Sequence, residues 1–160
     1  MPPRNLLATG VAAAATALAG GLASRDVRSG WYAALDKPSF QPPPVAFPLA
    51  WTALYTDIAV TSAAALDRLG ATGAGEERRA LRLALGANLV VNASWTWVFF
   101  AAHRLGLASG VAAVLTASSA DLVRRTARAD RRAGLALVPY PLWCGFATVL
   151  STTIWRRNRR

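Results

Sequence analysis

An all-α bundle of five membrane-spanning helices is the fold this sequence predicts, and two observations predict it. Hydrophobic residues make up 54% of the 160 positions, yet 18 basic residues stand against 8 acidic ones. Those charges cluster between long uncharged stretches, and five such stretches reach the roughly 20 apolar residues that a bilayer crossing needs. A nucleic-acid-reading helix interleaves its Arg with its apolar face. Here the Arg residues sit apart from the apolar segments, which excludes nucleic acid as a partner. The acid-poor surplus fits contact with anionic lipid headgroups instead.

The first span, 5–24, carries no charge between Arg4 and Arg25. Its small residues recur every fourth position at Gly10 and Ala14, and again at Ala13, Ala17 and Gly21, a spacing that permits close helix contact. The same stretch also fits a secretory signal peptide, with Arg4, an apolar run and "GLAS". Residues 25–45 form the one long connection. The second span, 46–66, carries a stripe of Trp51, Tyr55 and Ile58. Asp57 lies about 240° round the helix from Trp51 and points away from that stripe.

The third span, 80–102, opens with Arg82 at its edge and places Asn88, Asn92, Trp95 and Phe99 on one face. Asn in hydrocarbon needs a partner or a cavity, so this face predicts either interhelical hydrogen bonds or a lined cavity. The fourth, 105–123, is rich in Ala, Ser and Gly, which suits a helix buried among others. The fifth, 133–155, repeats the aromatic pattern with Tyr140, Trp143, Ala147 and Leu150. Small Ala147 leaves room beside the Trp143 indole for a flat ligand. Pro139 and Pro141 disturb this helix and free carbonyls near residues 135 and 137.

The spans are joined by a turn over 69–79, a short one near Arg104, and "RRTARADRR". Trp31 and Trp155, at segment ends, read as interfacial belt residues; Trp95 and Trp143 sit well inside their spans. The single Cys144 and single His103 offer no cluster for a protein-bound metal. They read as a packed thiol and a boundary residue. The inter-helix loops favour a cytoplasmic N-terminus, while the basic tail argues the opposite.

Three motifs on separate spans, "WYAALDKPSFQPPPVAFPLAW" with "TALY", "NASWTWVFF", and "PYPLWCGFATVL" with "IWRRN", resemble the TspO/MBR family in order and spacing. The resemblance runs from about Ser24 to Asn158 and favours a retained first helix. It implies five transmembrane helices around a pocket opening towards the first loop. It also implies no obligatory cofactor, porphyrin or haem ligands such as protoporphyrin IX, sterols and benzodiazepine-type ligands, and homodimers. Carried over by motif, Tyr32 and Pro42 belong to the lid, and Trp51, Asn92, Trp95, Trp143 and Ala147 line the pocket. Pro42, Pro43 and Pro44 stiffen the lid, while Trp31, Tyr32 and Phe40 give it an apolar underside. Lys37 is placed to meet either an acidic ligand group or a lipid headgroup.

Dimer contact is expected through the third helix, at Ala80 and Ala84. The sequence departs from the family at Ser151, where Asn is usual, at Phe40, where Trp is common, at Val111, where many relatives are acidic, and at the added Pro141. Thr152 and Thr153 stand where the vertebrate sterol-recognition segment has a Tyr, which counts against cholesterol. Three functions remain in view. They are a porphyrin-binding protein for sensing, sequestration or transport, a light-dependent protoporphyrin-degrading enzyme acting through Trp51 and Trp143, and a membrane scaffold with a vestigial pocket.

Overall fold

A computed structural model describes residues 3–25 and 30–159. Arg28, within the long first connection, lies outside the described residues. Among the described residues there are seven α-helices: α1 (Pro3–Ala23), the short α2 (Gly30–Ala34) in the first connection, α3 (Ala46–Ala71), α4 (Gly75–Thr96), α5 (Leu105–Ala129), α6 (Arg131–Ala136) and α7 (Pro139–Arg157), and all but α2 belong to five spanning units. Five stretches are long and apolar enough to cross a membrane, with α6 and α7 counted as one. Large apolar side chains such as Leu7, Leu18, Leu49, Val90 and Leu142 face outward from the bundle. That exposure suits a hydrocarbon solvent. The chain is an integral, multi-pass membrane protein.

Three helix ends run further than the charge gaps indicate. The turn expected over 69–79 shrinks to residues 72–74, where Gly73 adopts φ +72 and stops α3 in the left-handed conformation. Glu76 and Glu77 then fall in the first turn of α4, where negative charge complements the helix dipole. Likewise α5 continues through most of "RRTARADRR" to Ala129. Arg and Glu are good helix formers, so charge ends the apolar span without ending the helix. Asp130 makes the actual break. Its carboxylate accepts from the amides of Arg132 (2.9 Å) and Ala133 (3.1 Å) and caps α6. The corner is tight enough that a Cβ on Gly134 would come within 2.4 Å of the Ala127 Cα.

The break between α6 and α7 lies at Leu137 and Val138, just before Pro139. The two carbonyls expected to be freed are both satisfied by short turns: Val138 donates to Leu135 (3.3 Å) and Tyr140 to Leu137 (3.1 Å). At the far end of the third span, α4 passes into a π-helical turn, Trp97–Ala101. There the Ala102 amide reaches back five residues to the Trp97 carbonyl (2.9 Å).

Helix α5 packs on α7 and α4, and α1 packs on α3. Two apolar clusters result. One surrounds Ile58, Leu81, Leu122 and Tyr140; the other, around Phe99, Ala108 and Ile154, gathers Trp31 and Tyr32 from α2 and Phe47 from the first turn of α3. Near its start, α1 is pinned by Asn5, which donates to Asp67 (2.5 Å), and by Thr9, which donates to the Ala59 carbonyl (2.8 Å). Ala84 is packed against the first cluster and Ala80 is half-buried. Leu83, Gly86 and Val90 are exposed on α4, beside the half-buried Ala80 and Ala84.

Candidate functional site

A cavity of about 800 Å³ lies among α1, α3, α4, α7 and the connection between α2 and α3. Its size falls in the range of small-molecule sites. Of the seven residues expected to contact a ligand, Tyr32, Trp51, Asn92, Trp95, Trp143 and Ala147 all line it. Pro42 does not. Its neighbours Gln41 and Pro44 take that place, because three consecutive prolines cannot all turn the same edge inward.

The indoles come from three helices and are held by aromatic neighbours. Trp51 stacks on Tyr55 one turn later (5.5 Å, 30°). Trp95 stacks on Phe99 (5.3 Å, 29°) and meets Phe100 edge-on (6.1 Å, 88°). Trp143 contacts Phe47 edge-on (6.1 Å) and Phe146 at a tilt (5.5 Å). The π-helical turn carries Phe99 and Phe100, which both line the cavity. These geometries leave ring planes for a flat apolar ligand to pack against.

The two Asn residues of α4 part ways. Asn92 lines the cavity, whereas Asn88 is fully buried in the bundle outside it. Both join one hydrogen-bond chain. Tyr55 donates to Asn92 Oδ1 (2.8 Å), and Asn92 Nδ2 donates to the Tyr140 hydroxyl (3.0 Å). Tyr140 in turn donates to Asn88 Oδ1 (2.7 Å), and Asn88 Nδ2 to Ser118 Oγ (3.1 Å). Interhelical bonding thus accounts for Asn88, while Asn92 serves both roles.

The sequence pattern does not mark α1 as a wall of the site. Gly10, Ala13, Ala14, Ala17 and Gly21, the small residues expected to mediate helix contact, line the cavity instead. A Cβ on Gly10 or Gly21 would meet nothing within 4 Å. On the α3 side, Thr52 and Thr56 donate to the carbonyls of Pro48 (2.8 Å) and Thr52 (2.9 Å), which spends their hydroxyl protons within the helix. Ala14, Gly21, Thr52, Thr56 and Val60 are exposed, so the cavity reaches the outer surface of the bundle between α1 and α3.

The covering connection is fastened at one edge. Asp36 and Asn158 exchange two hydrogen bonds, from the Asp36 amide to Asn158 Oδ1 and from Asn158 Nδ2 to the Asp36 carbonyl, each 3.0 Å, and Arg157 pairs with Asp36 at 3.1 Å. Of the expected underside only Tyr32 faces the cavity. Trp31 stacks on His103 (3.8 Å, 15°), and Phe40 is 47% exposed with its ring edge towards Phe146. Lys37 is not at the rim. Its ammonium lies 4.6 Å over the Tyr32 ring and donates to the Ala33 carbonyl, so among the described residues no strong cation borders the cavity from the lid. Burial lifts the Tyr32 hydroxyl above its ordinary pKa, and the Gln41 amide facing it works in the opposite direction. Asp57 does not line the cavity, and Cys144 is buried behind it.

The model of the TspO/MBR family matches residues 8–156 of the chain. The CrtK protein of Rhodobacter capsulatus is 35% identical over 129 residues, a stretch covering 80% of this chain and 78% of that one. The tryptophan-rich sensory protein of Cereibacter sphaeroides is 37% identical over 128 residues, covering 80% and 77%. The human translocator protein is 32% identical over 136 residues, covering 80% and 75%.

Proposed function

The chain belongs to the TspO/MBR family, and on that premise we propose that it is a membrane-embedded binding protein for porphyrins, haem or similar planar apolar ligands. Its role in the cell is then tetrapyrrole sensing, sequestration or transport. One observation carries this reading. Trp51, Trp95 and Trp143, from three different helices, border a single cavity of about 800 Å³. Large planar ligands gain most from such packing, because each aromatic side chain offers extensive apolar area and a defined stacking geometry. The names of the bacterial and human relatives, for sensing and translocation, support the same role.

Degradation of the bound pigment is the second reading. It is favoured by Trp51 and Trp143, two indoles on opposing helices that both border the cavity. Titrating detergent-solubilised protein with protoporphyrin IX, in the dark and under illumination, tests both readings. Saturable binding with unchanged pigment is expected. Light-dependent bleaching to a new product would establish the enzyme, and absence of binding would leave a membrane scaffold.

A further inference from the structure

Asp57 stands near the middle of α3 (Ala46–Ala71), about 16 Å along the axis from one end and about 21 Å from the other. The hydrocarbon core of a bilayer is about 30 Å thick. A carboxyl on a single methylene cannot reach the headgroups from its centre, as a long Lys or Arg side chain near a helix end can. The Asp57 backbone carbonyl accepts from Thr61 (2.6 Å), but its carboxyl has no hydrogen bond or ion pair among the described residues. The residue is half-buried and does not line the ligand cavity. An ionisable group at this depth is costly unless it is paired.

Asp57 falls within a seam on the outer face of α3. Ala46, Ala50, Ala53, Asp57, Val60 and Ala64 follow one another at alternating steps of four and three, and each is exposed or half-buried. That spacing suits a left-handed helix pair, and the small residues let two backbones approach closely. Val60 also lines the cavity, so the seam runs beside its opening between α1 and α3. A second copy of the chain does not satisfy Asp57. Copies related by a two-fold axis along the membrane normal would set Asp57 against its own counterpart at equal depth. Among the described residues no Lys, Arg or His lies at mid-span to balance it. Charge complementarity calls for a cation from elsewhere. We propose that this face of α3 docks a transmembrane helix of another membrane protein, one carrying a Lys or Arg at mid-span that pairs with Asp57.

Vesicles holding the full chain, with a donor fluorophore at its N-terminus, test this against two acceptor-labelled peptides. Each is a Leu- and Ala-rich helix of about 20 residues; one carries a single central Lys, and its twin has Leu there. The unaltered protein should associate with the Lys peptide about tenfold more tightly than with the twin. Asp57→Glu should keep that ratio, whereas Asp57→Asn and Asp57→Leu should bring it to about one. The ratio is taken within one preparation, so a partly folded variant does not disturb it. Equal association of both peptides with the unaltered protein, or a preference that survives Asp57→Leu, would overturn the proposal. So would energy transfer between donor- and acceptor-labelled copies of the chain that is lost in Asp57→Leu, because a second copy would then occupy this face.

Discussion

Replacing Trp143 with Ala weakens porphyrin binding by about 1–3 kcal/mol, the scale of losing a large buried aromatic contact, whereas Trp155→Ala leaves it nearly unchanged. The contrast follows from placement on a single helix. Both residues belong to α7, but Trp143 lines the cavity between Phe47 and Phe146. Trp155 lies outside it, against Gly106, with Arg159 4.8 Å above its ring. Truncating Trp143 removes a wall of the site and loosens Phe47 where the chain enters α3. Truncating Trp155 removes apolar area at the bundle surface and acts on stability. Equilibrium binding of protoporphyrin IX to the two variants, followed by pigment fluorescence, reads the difference. Equal losses at both positions would contradict the assignment of roles.

Tyr140→Phe should lower the stability of the bundle by about 1–3 kcal/mol, with a smaller loss for Tyr55→Phe. Tyr140 is fully buried, and its hydroxyl is the junction of the central chain, accepting from Asn92 and donating to Asn88. Removing that one oxygen leaves the Asn92 amide N–H and the Asn88 amide oxygen without their partner inside the bundle. The upper bound is tempered because hydrogen bonds between membrane helices each contribute modestly, since separated helices find other partners. The Tyr55 hydroxyl makes one bond of this chain, at the cavity wall, so its loss exposes Asn92 Oδ1 to the cavity rather than to packed core. Thermal unfolding in detergent reads the order of the two effects. A larger shift for Tyr55→Phe would mean that the chain is not anchored at Tyr140.

The spans and indoles were legible because both depend on local pattern. A gap between charges is a property of consecutive residues, and Trp95 and Trp143 declare themselves by sitting far from any interface. What stayed hidden depends on partners elsewhere in the chain. Asn88 and Asn92 look alike one turn apart. Both bond to Tyr140, some fifty residues on, and which of them also borders the cavity depends on helices packed from elsewhere in the chain.

The Gly and Ala residues of α1 carry the same signature whether they admit another helix or open a cavity. Their role follows from the exposed Thr52, Thr56 and Val60 opposite. No pattern marks Gln41, between Phe40 and Pro42, as a cavity residue. The π-helical turn at Trp97–Ala101 arises from a backbone bond that side-chain periodicity does not record.

The proposed binding of a ligand beneath the connection between α2 and α3 is tested most directly by amide hydrogen exchange with and without protoporphyrin IX. Prolines at 42, 43 and 44 restrict the conformations this connection can adopt, so ordering it costs less than ordering a Gly-rich lid. The Asp36–Asn158 pair holds one edge, leaving the stretch over the cavity to respond. Protection is predicted to rise on binding across residues 31–41, with no response at residues 72–74 between α3 and α4. Identical exchange over residues 31–45 in both states would contradict the claim and leave the connection a permanently docked element.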